Sequence, residues 1–320
     1  MAYLIGTDEA GYGPNLGPLV VTATVWRVPD EFLHADLYPI LAQVIASKPS
    51  ADSSSKVVIA DSKSLYKPGG SLALLERGVF AMLGATGKSV DDWSSVFEAF
   101  DDNVAGVLAH IPWYADFQTT IPIDANVDDI EKLTRRVREG SESAGVMCEH
   151  MRSRVVVAKE FNELIVMHGN KASALSQVTL GLVKSLVAPL GDERILIHCD
   201  KHGGRSKYAP LLQPLFPEYL IEVCGEGRME SVYRWGPQSC RMEARFVAKG
   251  ESCIASALAS MVSKYLRELA MRAFNEFWRR QLRGLRPTAG YPVDARRFKD
   301  EIAGVQQDLE IADDLLWRSR

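Results

Sequence analysis

The first thirty residues alternate an apolar run, a polar glycine turn and a second apolar run. Tyr3, Leu4 and Ile5 form the first run, residues 7–14 read TDEAGYGP, and residues 19–26 read LVVTATVW. The β-branched and aromatic second run predicts a strand, and the Gly/Pro-rich connection predicts an antiparallel pair. Apolar spacing predicts helices over 37–48 and 71–84, with ADSKSLYKPGG as a loop between them. Further on, 154–158 reads as a strand, 172–186 as a helix, and RILIHC as an apolar strand ending at Asp200. Residues 218–224 and 240–248 read as paired strands. Residues 254–278 read as a long helix with Ala and Ser on one face. A strand, a helix, then a strand with a polar C-terminal end predicts an α/β sheet with a site at that edge.

Residues 86–150 follow no such pattern. Trp93, Pro112, Trp113 and Pro122 sit among acidic stretches, with a basic helix near 129–139. The expected division is a core from 1–85 and 151–263, an insertion or subdomain at 86–150, and a C-terminal helical region at 264–320.

Composition narrows the class. With 47% hydrophobic and 24% charged residues over 320 positions, a packed core is expected, which excludes a disordered or collagen-like chain. No run approaches 18 apolar residues, so no transmembrane helix and no membrane partner are expected. The first eight residues reach acids without a basic stretch, unlike a secretory signal. Cys148, Cys199, Cys224, Cys240 and Cys253 are odd in number and include no C-x-x-C pair. That argues against a disulfide framework or zinc site and for a reducing cytoplasm. The net charge of −4 predicts no global attraction to nucleic acid, so any such binding needs a local patch. Residues 264–299 offer one, with ten Lys/Arg against three acids. A solvated helix face is the bland alternative.

The candidate chemistry lies in carboxylates. Any one of the 41 Asp and Glu is ordinarily a solvated surface group. Asp8 and Glu9 stand out because they enter a glycine turn. Neighbours on an extended strand point to opposite faces, so one site takes both only if the chain turns there, which Gly11 and Gly13 permit. Asp200 ends a strand before Lys-His-Gly-Gly, and Glu251 precedes the long helix. Convergent carboxylates suit hard divalent cations, and two such ions about 4 Å apart can activate a water and stabilise the leaving oxygen in phosphodiester cleavage. Lys63 reads as a phosphate contact or a loop partner of Asp61. Lys264 reads as positioning a carboxylate or phosphate, or as a structural pair. His202 reads as a surface loop histidine and His198 as a packed one.

Five blocks in order resemble the type 2 ribonucleases H, that is, ribonucleases HII and HIII. TDEAGYGPNLGPLVVTA (7–23) resembles their opening Asp-Glu-Ala/Val-Gly turn, and ADSKSL (60–65) their Asp-Ser-Lys-x-Leu block. HCD, ending at Asp200, falls where their third carboxylate ends a strand. KGESCIASALASMVSKYLRE (249–268) resembles the block with the fourth carboxylate and its helix, on which Ala259, Ser260, Lys264, Arg267 and Glu268 hold the spacing. GYP (290–292) resembles a short block after it. The resemblance implies a ribonuclease-H-like fold, a mixed sheet flanked by helices with a C-terminal helical region. It also implies endonucleolytic cleavage of RNA in RNA–DNA hybrids with Mg²⁺ or Mn²⁺. The implied catalytic and metal-binding quartet is Asp8, Glu9, Asp200 and Glu251, with Glu243 as a weaker substitute for the last. Gly11, Tyr12, Gly13, Lys63 and Lys264 are the implied substrate contacts.

Three departures mark a divergent branch. Tyr12 stands where ribonuclease HII has the arginine of Gly-Arg-Gly, which removes a charge from the turn. The stretch from Asp200 to Glu251 is long, so an inserted hairpin is expected. Residues 86–150 have no counterpart. The C-terminus lacks a Gln-x-x-Leu-x-x-aromatic-aromatic ending, so no sliding-clamp peptide is expected there. Two other readings stay open: a non-catalytic nucleic-acid-binding protein of the same fold, and a DNA nuclease or resolvase of the same superfamily.

Overall fold

The computed structural model describes residues 1–50, 55–248 and 253–319. Chain order begins with β1 (Ala2–Ala10), β2 (Leu19–Val28), α1 (Leu37–Ile40), β3 (Ile45–Ala46), β4 (Val57–Val58), α2 (Ser62–Leu65) and α3 (Ala73–Ala85). Next come α4 (Trp93–Phe100), α5 (Val104–Leu108), α6 (Pro112–Ala115), α7 (Val127–Ala144) and β5 (Met147–Val156). Then follow α8 (Ala158–His168), α9 (Lys171–Val187), β6 (Arg194–Asp200), α10 (Ala209–Leu212), β7 (Glu222–Glu226), β8 (Glu230–Trp235) and β9 (Met242–Val247). Helices α11 (Ile254–Gln281), α12 (Pro292–Asp308) and α13 (Asp313–Leu316) complete the order.

Seven strands form one mixed sheet in the order β5-β2-β1-β6-β9-β8-β7. β1 pairs antiparallel with β2 and parallel with β6, and β6 pairs parallel with β9. The C-terminal ends of β1, β6 and β9 therefore share one edge of the sheet. Helices cover both faces. Alternation along β1 divides its side chains: Leu4 joins the core under α11, and Ile5 joins the core under α9. Small residues let α11 approach closely. A Cβ on Gly6 would lie 2.2 Å from the Ser256 backbone nitrogen. Hydroxyls fill the rest of this seam: Thr24 donates to the Ala255 carbonyl, and Ser263 donates to Thr22.

Residues 86–150 share the main core. Trp113 packs edge-on against Phe274 of α11, with ring centres 5.2 Å apart, and Trp93 packs on Phe97, Tyr114 and Phe117. One buried cluster contains these rings and α11 alike. Helix α11 also runs unbroken through residues 263 and 264.

Several elements differ from the sequence reading. The helix predicted over 37–48 ends at Ile40, because Ile45 and Ala46 pair in parallel with Val57 and Val58 instead. The predicted loop at 60–70 holds the helical turn α2, capped by the Asp61 carboxylate on the Lys63 backbone N–H. The strand expected at 154 starts at Met147. The two strands expected to pair, β7 and β9, are separated by β8, whose Val232, Tyr233 and Trp235 were not read as a strand. Helix α9, extended to Leu190, is long and apolar enough to cross a membrane by length and composition. Its Leu175, Leu180, Val183 and Leu186 lie buried against the sheet.

Candidate active site

The parallel register fixes two carboxylates first. Thr7 and Cys199 are the last pair between β1 and β6, so the next residues, Asp8 and Asp200, lie side by side just past it, while β1 runs on to Ala10 against β2. Alternation puts both on the α11 face, whereas Cys199 joins the core under α9. Glu9 follows Asp8 and so leaves the strand on the α9 side. The Asp8 carboxyl is raised to about 7, first by burial and also by the charge of Asp200. A hydrogen bond from the Ser260 side chain, the Glu9 backbone N–H and the charge of Lys63 oppose that rise. Ser260 also bonds Ser62 at 3.0 Å, which ties α2, and with it Lys63, to this edge. Sequence reading noted Ser260 only for its helix spacing.

The glycine turn is built from behind. Gly11 adopts φ +94°, and a Cβ there would lie 2.5 Å from the Pro18 carbonyl oxygen. Gly13 carries no such constraint. Arg267, counted above with the basic surface segment, is buried and holds this turn instead. It donates to the carbonyls of Pro18, Leu16 and Ala289 at 2.5, 3.1 and 3.1 Å. Gly290 accepts from Asn15 N–H at 2.8 Å, which docks the 290–292 block on the same turn. Arg318 is fully buried, donates to the Gly11 carbonyl at 2.6 Å and stacks 3.9 Å over Phe161. The block resemblance includes Arg267 by its spacing, but no sequence signal distinguishes Arg318 from a surface arginine.

The remaining predicted residues are placed as follows. Lys264 pairs with Glu268 and sits 5.0 Å from the centre of the Tyr66 ring, so it is engaged within the fold. Glu243 is bonded by Arg234 and Arg245 and pairs in register with Leu196, four residues before Asp200. It stands more than 10 Å down the strand from the Asp200 end, at about 3.3 Å per residue. Glu251 lies outside the described residues. His202 corrects the sequence reading. It is 1% exposed, its Nδ1 lies 3.0 Å from Ser176 Oγ, and burial lowers its ring to about 3. Tyr208, Phe246 and Ser176 close over it, which a Lys-His-Gly-Gly string does not announce. The ring of His198 is lowered to about 4, first by burial and then by Arg245.

Asp8 and Asp200 present carboxylate oxygens on the α11 face of this edge. Oxygen donors suit Mg²⁺ or Mn²⁺. Among the described residues, no group of three or more His, Cys, Asp or Glu is placed to hold a metal ion.

The basic segment divides in two. Arg267 is internal, and Lys264, Arg280, Arg297 and Lys299 are ion-paired. Exposed Arg272, Arg279, Arg280 and Arg283 line a groove of about 680 Å³ against Tyr66 and the 68–70 loop. The α11 wall of this groove begins at Glu268, about 12 Å along the helix from Ser260 at 1.5 Å per residue.

The Asp8 shift has a consequence for stability. The unfolded chain releases this proton near the ordinary Asp value of about 4. The folded chain releases it near 7. Stability in metal-free buffer is therefore lost as pH rises through that window. Asp8→Asn removes the loss, so the Tm advantage of the variant grows between pH 5 and pH 8. The buried histidines act in the opposite sense in both proteins and cancel in the difference. Thermal melts with chelator at several pH values check this, and a pH-independent difference would refute the assigned cause.

No family model matches the chain, and no curated protein matches it. Among similar solved structures is ribonuclease HII of the PCNA:RNase HII complex from Archaeoglobus fulgidus. It is 13% identical with a TM-score of 0.41, over 99% of this chain and 94% of that one. Ribonuclease H2 from Pyrococcus horikoshii is 12% identical with a TM-score of 0.38, over 98% and 92%. Bst-RNase HIII in complex with Mn²⁺ is 15% identical with a TM-score of 0.39, over 96% of this chain and 62% of that one.

Proposed function

We propose that this chain is a divalent-cation-dependent endonuclease that cleaves the RNA strand of RNA–DNA hybrids. The observation that carries the proposal is the placement of Asp8 and Asp200 side by side, just past the last parallel pair of β1 and β6, where the charge of Asp200 reaches the Asp8 carboxyl. The five ordered sequence blocks supply the reaction class.

In this reading Asp8 and Asp200 would hold the cation from the α11 face, and the sequence blocks add Glu9, from the other side of the same strand, and Glu251 to the set. A bound divalent cation supplies charge neutralisation at the phosphodiester and lowers the pKa of water. Asp8 must lose its proton to act as a ligand, so cation binding would release a proton and strengthen as pH rises toward 7. Ser260 then keeps the Asp8 carboxylate oriented through its hydrogen bond. Lys63 adds positive charge to the same edge, where a phosphate enters. Arg272 and Arg279, further along α11, and Arg283, just past its end, hold the backbone.

The test is incubation with labelled RNA–DNA hybrid, a duplex with one ribonucleotide, and an all-DNA duplex, each with Mg²⁺ and with Mn²⁺. Cleavage of the hybrid is expected, and it should exceed cleavage at the lone ribonucleotide. A single 2′-hydroxyl makes an enzyme depend on the turn that reads it, and Tyr12 brings no charge to that turn. Cleavage of all three duplexes alike would point to a DNA nuclease. Binding without cleavage under either metal would point to a non-catalytic binder, the reading that Tyr12 favours.

A further inference from the structure

Arg267 and Arg318, the arginines behind the glycine turn, are buried and bonded to backbone carbonyls, whereas Arg205 is half-buried. Arg205 makes no ion pair among the described residues. Its Nη2 donates to Ser173 Oγ at 2.9 Å, and its Nε is buried without a partner.

The loop that carries it leaves directly from Asp200 and is fixed at successive points. Lys201 Nζ donates to the Gly227 carbonyl at 2.7 Å and to Ser231 Oγ at 2.9 Å. The His202 backbone N–H donates to Tyr208 Oη at 3.0 Å. Gly203 presses on the first turn, where a Cβ would lie 2.8 Å from Tyr12 Oη and 2.9 Å from Ala172 Cβ. The half-buried guanidinium is thus held beside Tyr12. The Tyr12 hydroxyl is pushed up by burial and by Glu9 and drawn back by Arg205.

We propose that Arg205 grips a phosphodiester oxygen of the nucleic-acid strand bound at the Asp8–Glu9–Asp200 edge, on its Glu9 side. The assignment rests on the proposed function. A guanidinium has five N–H donors; Ser173 uses one and the buried Nε–H is closed to a ligand, which leaves the Nη end to meet a phosphate oxygen. A pre-oriented planar fork loses little freedom when it meets a phosphate, and no carboxylate has to be displaced first. Tyr12 offers the strand a neighbouring ring without adding charge.

The experiment is a titration of labelled RNA–DNA hybrid over a salt series with chelator present, for wild type, Arg205→Ala and Arg205→Lys. One phosphate contact contributes about 0.9 to the slope of log affinity against log salt. Arg205→Ala should lower the slope by about that amount and weaken binding about tenfold at low salt. Arg205→Lys should keep the slope, because it keeps the charge, while losing part of the affinity. A purely structural role through Ser173 would instead lower Tm in both variants and leave the slope unchanged. A wild-type slope retained in Arg205→Ala would overturn the assignment alone. Absence of hybrid binding by the wild type would overturn the proposed function and this assignment with it. A loss equalled by inorganic phosphate binding, with no change in hybrid slope, would assign Arg205 to free phosphate and sink the backbone contact.

Discussion

Asp200→Asn is expected to leave hybrid binding intact and to lower cleavage by orders of magnitude. The substitution keeps the side-chain volume at the end of β6 and removes one negative charge. A hard cation bound by carboxylates depends on that charge, so its affinity falls. Turnover falls with it, because charge neutralisation and water activation depend on the bound cation. The arginine groove is untouched, since Arg272 and Arg279 lie further along α11 and Arg283 just past its end. Without metal the variant binds hybrid somewhat more tightly, as one fewer carboxylate repels the phosphates. A second readout follows from the register. Asp200 raises the Asp8 carboxyl, so neutralising Asp200 moves Asp8 back toward the ordinary Asp value. Hybrid affinity at fixed salt, cleavage under excess enzyme, and the Asp8 titration together check the variant. Unchanged cleavage would remove Asp200 from the site.

Parts of this arrangement were legible because they are local. A β-branched run beside a glycine turn specifies β1 and β2, and an apolar run stopped by Asp200 specifies β6. The sheet edge that they share follows from strand polarity alone. What stayed hidden depends on tertiary partners. Arg267 and Arg272 are the same residue type on one helix, yet the first fills a cage of three carbonyls and the second faces a groove. A charge count over 264–299 cannot separate them. His202 looked exposed because Gly-Gly follows it, and its burial comes from Tyr208 and Phe246 beyond the loop. The alternation of β8 is too short to mark a strand, yet β8 sits between β7 and β9, the two strands that the pattern pairs. The fourth carboxylate expected from the sequence, Glu251, lies outside the described residues.

Glu76→Ala is expected to cause the largest loss of stability, although Glu76 stands away from the candidate site. Its side chain is fully buried on α3. One carboxylate oxygen accepts from the Ile123 N–H at 2.7 Å, and the other accepts from the Asp124 and Ala125 N–H groups at 2.8 Å each. Tyr265 Oη of α11 lies 3.2 Å from the first oxygen. A single carboxylate therefore joins α3, α11 and the 123–125 stretch before α7. Truncation to Ala leaves three backbone donors and a phenol inside the protein without acceptors. Each unsatisfied group costs about 1–3 kcal/mol, and breaking such a buried charged cluster costs about 3–5 kcal/mol in all. For a chain of this size that corresponds to a fall in Tm of roughly 10 °C. Glu76→Gln keeps the volume and one acceptor but turns an amide N–H₂ toward N–H donors, so an intermediate loss is expected. The damage should concentrate at 86–150, whose attachment to α11 the carboxylate secures. Hydrogen exchange should therefore show the 123–125 amides opening before the strands of the sheet. Wild-type Tm in Glu76→Ala would mean that water or a neighbouring side chain replaces all four bonds.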